Sequence, residues 1–249
     1  MERARGPLDA PDRRVGVGRW EEAAVQIRTV VTGIAAAVGI VLASVVAAPT
    51  AGAAPAPPTG CPQIETIAVR GSTEAQGGGS IAGPQASSIQ SRSAQTVRTH
   101  DLVYPASLGN YASSVRQGVS ALRSRLAATS AQCPSTRFVL IGYSQGAQVI
   151  GDTLAAGGVP GADRIPAVLL FGDPTFNGRE SYNTGSYSAA RNGVFARSRG
   201  ALSAYASSIR SYCNATDNFC QRGATGAGHY RYASDRTAAT TFAVQRIGG

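Results

Sequence analysis

The apolar run Phe138-Val139-Leu140-Ile141 stops at Gly142-Tyr143-Ser144-Gln145-Gly146, and a helix-like stretch through Leu154 follows at once. No other segment constrains the chain as strongly. A short uninterrupted apolar run suits a strand buried on both faces, and Ile150 and Leu154, four residues apart, share one face of a helix. A chain passes from strand to helix within one residue only if side chains do not crowd the corner, and Gly142 and Gly146 remove that bulk. Ser144 at the corner then stands in a strained conformation at a helix N-terminus, where developing negative charge is favoured. This is a setting for a nucleophilic hydroxyl.

A strand–Gly-x-Ser-x-Gly–helix junction resembles the nucleophile elbow of α/β-hydrolases, whose partners follow in the chain order serine, acid, histidine. The chain has only two histidines. His100 precedes Ser144, whereas His229 follows it in the small-residue loop Gly226-Ala227-Gly228-His229-Tyr230, so His229 is the expected base. The acid is less constrained. Asp152 falls on the helix after the corner and Asp163 in a polar loop, both expected to be solvated. Asp173 ends the strand-like run Ala167–Gly172, and Asp217 lies between Cys213 and Cys220. A carboxylate that orients one imidazole tautomer needs rigidity, which a disulfide-closed loop supplies. The residues favour Asp217 and leave Asp173 as the alternative.

Four segments in order resemble the cutinase family: Arg70-Gly71-Ser72-Thr73-Glu74, the Ser144 corner, the Asp217 loop and the late His229. The likeness covers about residues 61 to 247 and is strongest to actinobacterial cutinase-like members, with acetylxylan esterases more distant. It implies a serine esterase with Ser144, Asp217 and His229 as catalytic residues and the Ser72 and Gln145 amides as oxyanion hole. It also implies the pairings Cys61–Cys133 and Cys213–Cys220, out of the three that four cysteines allow. Arg70–Glu74 resembles the cutinase branch, but the long polar segment from Phe171 to Ile209 resembles the acetylxylan esterase branch. The expected reaction is hydrolysis of carboxylic esters through an acyl-enzyme, on cutin-like polyester, short- to medium-chain acyl esters or lipids. An acetyl esterase, a lipase or phospholipase, and a catalytically silent envelope-binding protein are the alternatives.

The remaining features bound the molecule. Val30 to Ala48 carries no charge, follows an arginine-bearing segment and precedes Ala51-Gly52-Ala53, so residues 1–53 read as a signal peptide and the protein as secreted. An uncleaved anchor is the alternative. Residues 54–60 read as a proline-rich linker, and 61–249 as one domain. Four cysteines in an exported chain fit two disulfides. Alternation of strand-like and helix-like stretches predicts an α/β-hydrolase-type three-layer sandwich, a mainly parallel sheet with helices on both faces. The expected strands are 64–69, 102–104, 138–141, 168–171 and 209–212, and the expected helices are near 89–98, 111–128, 145–154 and 234–246. From Ala54 onward, seventeen arginines against nine carboxylates leave a charge of +8, without a single lysine. The arginines are scattered and lack interleaved aromatics, which speaks for attraction to an anionic envelope surface rather than to nucleic acid. No metal or cofactor is expected, since neither C-x-x-C spacing nor a histidine cluster occurs. A monomer is the default.

Overall fold

A computed structural model of the chain describes residues 60–223 and 225–248. The expected signal peptide, and all of the expected linker but Gly60, lie outside the described residues. Six strands, β1 (Ile64–Val69), β2 (Val97–Asp101), β3 (Arg137–Tyr143), β4 (Ala167–Phe171), β5 (Asn183–Thr184) and β6 (Ile209–Tyr212), form one sheet in the order β2-β1-β3-β4-β6-β5. Every pairing is parallel. Helices α2 (Tyr111–Gln132) and α3 (Gln145–Ala155) cover one face, and α1 (Ala82–Arg92) and α4 (Arg236–Arg246) the other.

The apolar runs of β3 and β4 follow from this double cover. Phe138, Leu140, Val168 and Leu170 join Leu122, Leu126, Val149 and Ile150 in one core cluster. Val139, Ile141, Leu169 and Phe171 join Ala86, Ile89, Ala239 and Ala243 in the other. Successive strand residues point to opposite faces, so both must be apolar when both faces are dry.

Two elements differ from the sequence expectation. The helix expected at 89–98 occupies Ala82–Arg92, and the strand expected at 102–104 is β2 at Val97–Asp101. Pro84 is tolerated within the first turn of α1, where its missing N–H costs nothing. Past Arg92 the chain turns, and the Ser93 hydroxyl accepts the Gln95 N–H. Strand β2 is an edge strand of mostly polar, partly exposed residues. It lacks the apolar run by which a central strand is recognised, while buried Leu102 and Tyr104 lie just beyond its end. The two-residue β5 carries no sequence signal at all.

Strand β1 also holds a buried carboxylate. Glu65 is fully buried and takes both ends of the Arg125 guanidinium, at 2.8 and 2.7 Å, together with Arg98 at 2.9 Å. Burial pushes this carboxyl up, but the hydrogen bonds and charges of Arg125 and Arg98 outweigh it and hold the group below its ordinary value. Glu65→Gln is expected to cost about 2 kcal/mol at pH 7, less than a fully buried pair because both arginines keep some surface in water. The lowered value makes this contribution complete above the ordinary carboxylate range and lost only as pH falls through the lowered value. Urea midpoints should therefore separate wild type from variant at pH 7 and converge below about pH 4; a gap independent of pH would overturn the assignment.

Candidate active site

The register of the sheet assembles the site. Val69 lies opposite Gly142, and Phe171 lies beside both Tyr143 and Tyr212. The loops that leave β1, β3, β4 and β6 thus emerge together at the C-terminal edge. The chain steps outward from β1 to β2 and then back across to β3, so this edge includes the point where strand order reverses, where open α/β sheets bind ligands.

Ser144 sits between β3 and α3 with φ 53° and ψ −119°. Its N–H donates to the Phe171 carbonyl at 2.8 Å, and its own carbonyl accepts the N–H groups of Ala147 and Gln148. The flanking glycines are required by contact. A Cβ on Gly146 would run into the Val69 carbonyl oxygen, and one on Gly142 would lie 2.6 Å from the Gly146 oxygen. The corner is therefore fixed by backbone alone, and the Ser144 side chain is spare.

That side chain meets His229. The Ser144 Oγ is 2.9 Å from His229 Nε2, and His229 Nδ1 is 2.8 Å from Asp217 Oδ2. Three aromatic rings surround the imidazole, Phe219 at 4.5 Å, Tyr143 at 5.1 Å and Tyr230 at 5.5 Å between centroids, and the Tyr143 hydroxyl donates to the His229 carbonyl. Asp217 is fully buried. Its Oδ1 accepts the N–H groups of Phe219 and Cys220, and its Oδ2 also accepts the Tyr232 hydroxyl at 2.6 Å. Burial pushes the Asp217 carboxyl up, but His229, Tyr232 and the Cys220 amide outweigh it and hold the group below its ordinary value. The Cys213–Cys220 disulfide closes this loop, and Cys61–Cys133 ties the start of the domain to the end of α2.

The alternative acid is occupied elsewhere. Asp173 Oδ1 accepts the Thr175 N–H and hydroxyl, and its Oδ2 pairs with Arg197 at 3.2 Å. Arg197 also pairs with Asp152 at 3.0 Å, which is half-buried rather than solvated as expected. His100 lies on β2, the outer strand of the sheet, opposite Ile67 of β1.

Ser72 lines the same cavity as Ser144 and His229, a space of about 580 Å³. The turn that carries Ser72 is held by Glu74, whose carboxylate accepts the N–H groups of Gly71 and Ser80, and by buried Arg70, which donates to the carbonyls of Glu74, Leu102 and Tyr104. Gln145 opens α3 with its side chain spent, accepting the Ser114 hydroxyl and donating to the Ser107 carbonyl. Val194 and Phe195, from the long polar segment, form one wall of the cavity, so this segment flanks the serine.

Sequence reasoning missed Tyr232, Gly172 and Arg197. A Cβ on Gly172 would come within 2.9 Å of His229 Nδ1, so the glycine lets the imidazole and carboxylate meet over the end of β4. A glycine directly after an apolar run was the one available signal; a lone tyrosine or arginine carries none.

An all-parallel sheet covered on both faces, with a serine at a strand-to-helix corner of its C-terminal edge, defines an α/β-hydrolase. The chain belongs to the cutinase family, whose profile, described as Cutinase, matches residues 60–247. It is a carboxylic ester hydrolase of that family. Acetylxylan esterase 2 of Talaromyces purpureogenus is 31% identical over 76% of this chain and 88% of its own length. Carboxylesterase Culp1 of Mycobacterium tuberculosis is 33% identical over 84% of this chain and 94% of its own. The catalytic core of acetyl xylan esterase from Trichoderma reesei superposes with a TM-score of 0.67 at 28% identity, covering 75% of this chain and 99% of that one. Some longer relatives are matched over only 64% of their length.

Proposed function

We propose that Ser144 Oγ attacks the carbonyl carbon of a carboxylic ester while His229 Nε2 takes its proton. The tetrahedral intermediate collapses, the imidazolium returns the proton to the leaving alcohol, and an acyl group stays on Ser144. Water, deprotonated by His229, attacks the acyl-enzyme and releases the acid. Asp217 holds the tautomer with its proton on Nδ1 and stabilises the imidazolium. The Ser72 and Gln145 amides receive the oxyanion, each such donor contributing roughly 3 kcal/mol. The Gln145 N–H opens a helix and so has no intrahelical acceptor. The observation that carries this reading is the unbroken hydrogen-bonded chain from Tyr232 through Asp217 and His229 to Ser144, ending in an open cavity.

The substrate is read from the rim. Leu108, Phe195 and Tyr230 are each more than half exposed and line the cavity beside the serine. This favours esters with apolar chains of short to medium length. An acetyl ester on a polysaccharide is the second reading, favoured by the likeness to acetylxylan esterases. Rates on p-nitrophenyl esters from C2 to C16 decide between them, because pocket volume sets the chains accepted. A maximum at C4 to C8 is expected. A sharp preference for C2 would move the reading to acetyl esterase, and a maximum at C12 or above to lipase. Folded, disulfide-intact protein without activity on any chain would leave an envelope-binding protein. The two disulfides support export, with the leader removed near Ala53 and Ala54, and the +8 charge supports attraction to an anionic envelope surface.

A further inference from the structure

Beside the serine cavity lies a second cleft of about 510 Å³, whose lining includes Arg191, Asn192, Val194 and Arg222. Val194 lines both spaces, so the two clefts adjoin. No carboxylate lines the second cleft. Among the described residues, neither Arg191 nor Arg222 is within ion-pair distance of an acid, in contrast to Arg98, Arg125 and Arg197.

The two arginines come from different loops that the fold joins firmly. Buried Gln221 accepts the Ser188 N–H at 2.8 Å and donates to the Asn214 carbonyl at 2.7 Å, and the Val194 N–H donates to the Phe219 carbonyl at 2.9 Å. These bonds fasten the loop that bears Arg191 to the disulfide-closed loop that precedes Arg222. The Asn192 side-chain oxygen is engaged by the Gly178 N–H, which fixes that amide on the same loop. Arg222 itself has φ 55°, a left-handed conformation that non-glycine residues rarely adopt. Hydrogen bonds of the buried Gln221 thus fasten together the two loops that carry these exposed arginines at a cleft without an acid, and one of the two stands on strained backbone, a combination that points to binding.

We propose that Arg191 and Arg222 form a subsite for an anionic group carried by the ester substrate, so that the preferred esters bear a carboxylate or phosphate in addition to the scissile bond. This rests on the assignment of Ser144 as nucleophile. A guanidinium pair receives an oxyanion group by charge-assisted, fork-like hydrogen bonds. The anion would sit in the second cleft and the scissile carbonyl over Ser144, with Val194 between them.

Two substrate sets test the inference. One pairs p-nitrophenyl monoesters of C4 to C10 dicarboxylic acids with the matching monoacid esters. The other pairs dihexanoyl phosphatidylglycerol with dihexanoylglycerol, both below their aggregation limit. Wild type is expected to favour the charged member of at least one set by about tenfold in kcat/KM, chiefly through KM. The double variant Arg191→Gln/Arg222→Gln should bring that ratio within twofold of unity and leave the neutral esters unchanged. Arg92→Gln/Arg116→Gln, which removes two exposed arginines from α1 and α2, controls for overall charge and should keep the preference. Inorganic phosphate should compete with the charged member and not with the neutral one, whereas inhibition of both alike would point to a free-anion site and overturn the substrate assignment. Equal rates on charged and neutral members of both sets, or equal loss of preference in the control pair, would also overturn the proposal. Hydrolysis of the neutral esters that survives in Ser144→Ala would instead sink the nucleophile assignment, a separate result.

Discussion

Ser144→Ala is expected to lower kcat on a C4 p-nitrophenyl ester by about 10⁶. The expectation follows from how little else the Ser144 side chain does. The corner is held by the Ser144 N–H on Phe171 and by the Ser144 carbonyl under Ala147 and Gln148, all backbone groups that alanine retains. Alanine has the same left-handed strain as serine at φ 53° and fills less space, so the fold should survive. What disappears is the oxygen that lies 2.9 Å from His229 Nε2. Residual rate would then come from substrate binding and the oxyanion donors alone. Circular dichroism and intact disulfides should match wild type. A drop of less than tenfold in folded protein would sink the assignment of Ser144.

Asp217→Asn is the second large effect, expected at about 10⁴ in kcat. The Asp217 Oδ1 accepts two backbone N–H groups, and an asparagine oxygen would keep that place. The amide nitrogen would then face His229 Nδ1 and the Tyr232 hydroxyl, both donors in wild type. To accept from that amide, His229 must carry its proton on Nε2, toward Ser144, and can no longer serve as base. The companion variant Asp173→Asn separates the two candidate acids. Asp173 is engaged by Arg197 and Thr175, so its loss is expected to lower kcat less than tenfold, though it loosens the wall that bears Phe195. Equal losses in the two variants would reject Asp217 as the orienting acid. The lowered carboxyl of Asp217 also fixes the sign of its pH effect. Its contribution to stability is complete above the ordinary carboxylate range and is lost only as pH falls through the lowered value.

Both variants turn on side chains placed by different levels of structure. The Ser144 corner was legible because everything that makes it is local. An apolar strand, two glycines and an amphipathic helix lie within eighteen residues, from Arg137 to Leu154. His229 was legible by elimination, since chain order left one histidine. The layer architecture followed from the doubly apolar runs of β3 and β4, whose burial on two faces leaves a plain hydrophobic signature.

Only the tertiary structure shows how the partners of Asp173 and Asp217 differ. Both stand at the C-terminal edge, and the difference is Arg197, which lies far along the chain from Asp173 and reaches back across a loop to claim it. The same holds for Tyr232 on Asp217, for Glu74 under the Ser72 turn and for Gly172 beneath the imidazole, each of which acquires meaning from a neighbour brought by sheet register. Strand β2 was misplaced for a related reason, since an edge strand draws its identity from hydrogen bonds to β1 rather than from its own side chains. Hydrophobic periodicity and turn chemistry are properties of adjacent residues and can be read along the chain. Ion pairs and hydrogen bonds between distant loops depend on ångström-scale distances that exist only once the sheet has set its register.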